Sequence, residues 1–336
     1  MMSAGHTTLK RTLGVCGLLL LLLVAVVLVA SLVGSERLPL LQSLCALSGK
    51  TNCGLSSEQT AILFDLRLPR ILLAAAVGIC LATAGAAYQA LLRNPLAEPY
   101  LLGVSNGAAV GTMMALVFFG AYEWSRPALA FGGALMASVL VYQLARGRAG
   151  ATPERLILAG VIVTTFLSSA IVFLTALMDA TRIRSFTFWL LGDLSGTSPR
   201  LLAVAFIGAA LGVGVLVITA RSLNLMMLGE RDAFDLGVEV SRVRLMVFLA
   251  ASLLVGVSVA SSGSVGYVGL VVPHLVRLSF GSDNRLVIPA SALAGASFVI
   301  VADTLARTVI APRELPVGAI TALIGAPLFI YLLRRG

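Results

Sequence analysis

Residues 13–34 read LGVCGLLLLLLVAVVLVASLVG, with no charge and no proline. About 20 such residues suffice for a helix to cross the hydrocarbon core of a bilayer. A helix that is apolar on every side belongs in a membrane or at the heart of a large protein, and the rest of the chain decides between the two. Of 336 residues, 59% are hydrophobic and only 12% charged, against roughly a quarter charged in soluble domains. A secretory signal also starts basic, as here with Lys10 and Arg11. Its apolar core, however, is only ~7–15 residues and ends at a small-residue cleavage site. This run is longer and has no A-x-A pattern, so it reads as a retained first helix with a cytoplasmic N-terminus.

Nine further apolar stretches are bounded by Pro, Gly or charge. The predicted spans are 12–34, 60–92, 100–119, 127–146, 154–178, 200–220, 244–262, 264–280, 286–306 and 314–334. The expected fold class is all-α: one polytopic transmembrane domain over residues 1–336, of about ten transmembrane helices. The eighth stretch, SSGSVGYVGLVVPHLVR, is short and glycine-rich and predicts a half-span. Ten crossings put both termini on the same side, which the positive-inside rule can test. The predicted cytoplasmic segments, Arg148 among them, hold fourteen of the 24 Lys and Arg. The bias has the right sign but is small, so some arginines are being kept on the outer face. The net charge of +9 is spread singly or in pairs, without a basic tract, which argues against a nucleic-acid partner.

Several stretches carry more than apolarity. In NPLAEPYLLGVSNGAAVG, the two prolines predict a tight cytoplasmic corner. Gly103, Gly107 and Gly111 predict a smooth stripe for close helix packing. SGKT at 48–51 lacks the earlier glycine of a phosphate-binding loop, since position 44 is Leu44; no nucleotide site is expected. His6 and His274 are the only histidines, and no metal site, catalytic constellation or bound cofactor is expected. Asp303 and Arg307 share a helix face, and an ionisable residue in a span is a functional candidate. RIRSFTFWLLGDLSG, between spans five and six, predicts a short interfacial helix. LGERDAFDLGVEVSRVR (228–244) predicts a short amphipathic helix, a turn at Gly237, and a second short helix. Its charges and apolar letters at helical spacing suggest a docking surface.

Of the four cysteines, Cys16 and Cys80 are expected as reduced, buried fillers. Cys45 and Cys53 fall in the first outer loop, on the side where disulfides persist. The turn-forming Ser48, Gly49 and Asn52 between them predict that the two bridge.

Taken together, LRLPR (66–70), QALLRNPLAEPYLLGVSNGAAVG (89–111), GERDAFDLG (229–237), GYVGLVVPHLVR (266–277) and ELPVGAITALIGAPLFIYLL (314–333) resemble the FecCD permeases. These are the membrane subunits of ATP-binding-cassette importers for iron-siderophores, haem and cobalamin, and the resemblance is closest in style to the cobalamin branch. It spans the chain in order. It implies a homodimer in the bacterial inner membrane with both termini cytoplasmic. It also implies two ABC ATPase subunits carrying ATP and magnesium, a periplasmic binding protein, and a metal-chelate substrate. Glu230, Ala233, Leu236 and Gly237 match the family's ATPase-coupling element. Arg67, Arg70 and Arg307 match arginines that meet glutamates of the binding protein, with Asp303 orienting Arg307. Asn94, Pro95 and Leu96 match a cytoplasmic gate, and Thr152 matches its second layer. Here ATPERLILAG carries a proline and an acid where the cobalamin branch has small polar residues. An ion-coupled carrier is the competing reading; it would need carboxylates or broken helices near mid-membrane, and among the acids Asp303 alone comes near. An intramembrane enzyme is disfavoured by the lack of a nucleophile or metal constellation.

Overall fold

The computed structural model describes residues 9–34, 36, 38–50, 53–119, 124–147 and 150–335. His6, Asn52 and Arg148 lie outside them. Each predicted span is a helix. Among the described residues seven are long and apolar enough to cross a membrane: α1 (Leu9–Leu32), the continuous Ser57–Leu91, α6 (Ser125–Ala145), α7 (Pro153–Ala176), α9 (Pro199–Leu228), α11 (Val240–Ser262) and α13 (Asn284–Thr308). Three apolar helices are shorter: α5 (Val104–Met114, continued by a π turn to Phe119), α12 (Val268–Phe280) and α14 (Val317–Arg335). Ser57–Leu91 comprises α3 (Ser57–Ala61), a π turn at Ile62–Arg67 and α4 (Leu68–Leu91). The small helices are α2 (Leu40–Leu47), α8 (Ala180–Leu190) and α10 (Glu230–Asp235). A two-residue hairpin, β1 (Arg146–Gly147) with β2 (Gly150–Ala151), joins α6 to α7.

α4 is the axis of the bundle. The most apolar window of Ser57–Leu91 is 89% buried, against 11% for α1 and 28% for α7 and α9. Lipid offers no hydrophobic drive between helices, so packing and small residues must hold them. Alanines and glycines supply that packing: Gly78 faces Gly295 of α13 and Gly85 faces Gly269 of α12, each at backbone contact. Tyr88 adds a buried hydroxyl contact to Ser252 of α11 at 2.8 Å. α1, α7 and α9 present Leu21, Leu158, Phe166, Phe173 and Ile218 outward, as lipid or a protein neighbour would require. Cys80 is buried, whereas Cys16, expected to be buried, is only partly so because it lies on peripheral α1.

Successive spans alternate in direction, which gives the bundle a basal end, where α1 starts, and an apical end, where it finishes. At the apical end Cys45 and Cys53 are disulfide-bonded, with Cα atoms 5.6 Å apart. α8 lies there as a short helix, packing Phe186 and Trp189 towards Met178 and α5.

Three further sequence expectations need correction. The 94–103 corner is re-entrant rather than tight. Pro99 is the nearest side chain to Gly269, beside Leu81, and Leu101 and Leu102 abut Gly160 of α7. Leu81 lies ten residues, hence about 15 Å, inside the basal end of α4. Gly103 is accordingly not in the helix: it ends the corner at φ +76°, a left-handed turn that favours glycine. Only Gly107 and Gly111 form the packing stripe, against Gly133 and Leu129 of α6. The second short helix expected near 240 is instead the start of α11. Val240, Val243 and Val247 continue one face, with no breaker before Gly256.

Candidate functional site

The basal end holds the docking and gate candidates. α10 is tethered to α9 through Ala233, which is fully buried, while Phe234 and Leu236 are 71% and 63% exposed. Gly237, at φ +84°, turns the chain into α11. Beneath this surface Glu230 pairs with Arg244 of α11, a side chain only 2% exposed. Arg244 also donates from Nη1 to the carbonyl of Ala151 in β2. The next residue, Thr152, N-caps α7, its Oγ1 accepting from Arg155 N–H at 3.4 Å. One buried guanidinium therefore links α10, α11 and the entry to α7. Removing Glu230 would strand the buried Arg244 charge, so the guanidinium holds the three segments as a unit.

Asn94 folds the corner on itself, its Oδ1 accepting from Leu96 N–H at 2.9 Å. Pro95 and Leu96 are exposed. Arg93 and Arg244 both lie within electrostatic reach of Glu154 in the first turn of α7. The corner and the Thr152 cap are thus neighbours at one end, although no hydrogen bond joins Asn94, Pro95 or Leu96 to Thr152.

The corner then meets the loop between α11 and α12. Glu98 Oε1 accepts the Tyr267 N–H at 3.0 Å. Tyr100 Oη donates to the Val265 carbonyl and accepts the Val265 N–H, both at 3.0 Å. Ser105 reaches Ser264 at 3.3 Å. Non-helical backbone at membrane depth survives only when buried in protein or lining a cavity, and discontinuous helices of this kind mark transport pathways.

At the apical end Arg67, Arg70 and Arg307 line one cavity of about 450 Å³ with Glu36, Ser195 and Glu314. None of the three is free. Arg67, 4% exposed, donates to the carbonyls of Ser31 (3.2 Å), Leu32 (3.3 Å) and Glu36, closing the C-terminus of α1. Arg70 bridges Asp303 at 3.0 Å and Glu314 at 2.8 Å. Arg307 pairs with Asp303 at 3.0 Å. Asp303, 1% exposed, therefore neutralises two arginines, and Glu314 is the half-exposed member of the cluster.

Four contributors escaped the sequence reading. Phe234 was masked by its charged neighbours, though it precedes Leu236 by two on the same exposed turn. Arg244 looked like a loop charge. Glu98 and Tyr267 are 169 residues apart in the chain, and no local pattern pairs them.

The FecCD transport family matches residues 20–335. The chain is 45% identical over 285 residues to the ABC transporter permease protein YvrB of Bacillus subtilis, covering 82% of this chain and 79% of that one. It is 40% identical over 332 residues to the hemin transport system permease protein HmuU of Yersinia pestis, covering 95% of each. A solved structure of a metal-chelate type ABC transporter in an inward-facing conformation superposes with a TM-score of 0.84 at 31% identity. That match covers 97% of this chain and 100% of the other. The chain belongs to the FecCD transport family: it is a multi-pass, non-catalytic membrane subunit, a permease of the metal-chelate and vitamin ABC importers.

Proposed function

We propose that this chain carries a metal chelate (an iron-siderophore, haem or cobalamin) from a periplasmic binding protein into the cytoplasm, driven by ATP hydrolysis on two separate ABC ATPase subunits. A second copy completes the pathway, and each copy is a single permease domain in the inner membrane. The basal end faces the cytoplasm, which makes both termini cytoplasmic and Cys45–Cys53 periplasmic. ATP and magnesium reside on the ATPase. The carrying observation is the Glu230–Arg244–Ala151 junction beneath the exposed Phe234 and Leu236. An ATPase seated on Phe234 and Leu236, with Glu230, Ala233 and Gly237 shaping the surface, displaces α10. Arg244 passes that displacement to the start of α7 at Thr152, the second layer of a gate whose first layer is Asn94, Pro95 and Leu96.

At the other end, Arg67, Arg70 and Arg307 form the basic lining that receives the binding protein. Glu314, half-exposed on Arg70, holds the place a partner carboxylate would take, and charge-assisted Arg–carboxylate bonds would orient that partner. Uptake of cyanocobalamin, haem and ferric citrate into vesicles holding permease and ATPase tests the reading. Phe234→Asp with Leu236→Asp should abolish ATPase co-purification and uptake together. Unchanged co-purification would overturn the docking surface. Uptake that needs no ATP and collapses with an ionophore would favour the ion-coupled carrier.

A further inference from the structure

Glu98 is an acid carried inside the bundle on a re-entrant loop, and the function proposed above gives it no role. Among the described residues its carboxylate pairs with no cation. It holds one backbone N–H, that of Tyr267, at 3.0 Å. Tyr267 sits at φ +67°, where a bulky residue is strained by roughly 1–3 kcal/mol unless its surroundings hold it there. Its side chain meets α14 at close range: a Cβ built at Gly325 would lie 2.6 Å from the Tyr267 Cβ. Tyr267 is thus a junction, its N–H gripped by the corner and its side chain set against α14. Glu98 lies two residues beyond Leu96 and directly before Pro99, so the corner has no slack between the two.

We propose that Glu98 is a positioning residue of the seal. Through the Tyr267 N–H it ties the Asn94–Leu96 corner to α12 and α14, so that the corner swings clear only when this hydrogen bond opens. The inference deepens the reading of residues 94–96 as a gate and rests on it. A carboxylate that merely satisfied a stray N–H would affect folding alone. One that positions the corner controls leakage through a folded protein.

The test uses the full-length permease in vesicles loaded with carboxyfluorescein, without ATP. Glu98→Ala removes the acceptor; Glu98→Asp shortens the side chain by one methylene and serves if the alanine variant fails to accumulate. Both should raise dye efflux about tenfold or more, the factor that ~1.4 kcal/mol represents, while the thermal midpoint stays near that of the wild type. Glu98→Gln keeps an oxygen at the same place and should restore the seal to within about twofold of wild type, since its amide oxygen still accepts one N–H. Tight vesicles with both the alanine and aspartate variants would overturn the proposal, as would a glutamine variant that leaks as much as alanine. If the wild type binds no ATPase and takes up none of the three chelates while Glu98→Ala still leaks, the functional reading falls and the seal stands. ATP-driven uptake together with tight Glu98→Ala vesicles would be the reverse.

Discussion

Gly85→Ala probes the packing of α4 on α12 directly. A Cβ at Gly85 would lie 1.9 Å from the Gly269 carbonyl oxygen, 2.5 Å from its carbon and 2.6 Å from its Cα. All three are backbone atoms, so no side chain can rotate aside. Restoring ordinary contact requires the helices to part by about 1.5 Å, and a gap of ~0.5–1 Å already forfeits a quarter to a half of the attraction between facing atoms. Overpacking a core costs ~1–3 kcal/mol, and with backbone on both sides the upper figure applies. Alanine's better helix propensity returns about 1 kcal/mol, leaving a net loss of ~2 kcal/mol. Gly132→Ala in α6 and Gly214→Ala in α9 are the controls, because an added Cβ there meets nothing within 4 Å. They should be neutral or gain up to ~1 kcal/mol. Thermal unfolding in detergent micelles, followed by tryptophan fluorescence, should place Gly85→Ala roughly 5 °C below wild type and the controls at or above it. A Gly85→Ala protein that melts with its controls would refute the close approach.

Asp303→Ala leaves Arg70 and Arg307 facing each other and should cost ~3–5 kcal/mol, whereas Glu239→Ala, which breaks an exposed pair with Arg242, should cost under about 1 kcal/mol; denaturant unfolding compares them. Arg67→Ala removes the donor for three carbonyls at the end of α1 and should lower the melting temperature, at ~1–3 kcal/mol, even when no binding protein is present; an unchanged melt would show that those contacts carry nothing. Cys45→Ser with Cys53→Ser removes a short-loop cross-link worth ~2–3 kcal/mol by loop closure, confined to the segment around α2. Limited proteolysis there should quicken while the melting of the bundle stays put.

The spans were legible because hydrocarbon thickness imposes a length that an apolar run either meets or does not. The half-span at α12 showed in its glycines, and α10 in the helical spacing of its charges. What stayed hidden depends on partners far away in the chain. Arg67 reads as a surface cation, because a letter at the end of a span does not say that its partners are the last carbonyls of α1. Asp303 was legible as the partner of Arg307, four residues on, but its second bond to Arg70 bridges two helices. The re-entrant depth of Glu98 is invisible locally, since two prolines mark equally well a corner that stays at the surface and one that folds back. The misread helix near 240 had a signal: the valines at 240, 243 and 247 already keep the period of the span that follows.

The meeting of Ala151, Glu230 and Arg244 also bears on how such a chain can drift over generations. Ala151 contributes its carbonyl to the junction and its methyl group to the packed core, so what can replace it is limited by the space around it. Glu230 and Arg244 are bound by charge, and losing Glu230 leaves the buried Arg244 stranded. A lineage can therefore cross this point by replacing both together, or by first relaxing the burial of the arginine. The outward leucines of α1 face no such condition and can interchange one by one with other apolar residues. Change in this protein should accordingly be gradual along its lipid-facing surface and paired at the base of α11, and aligned relatives would carry that contrast as covariation between positions 230 and 244.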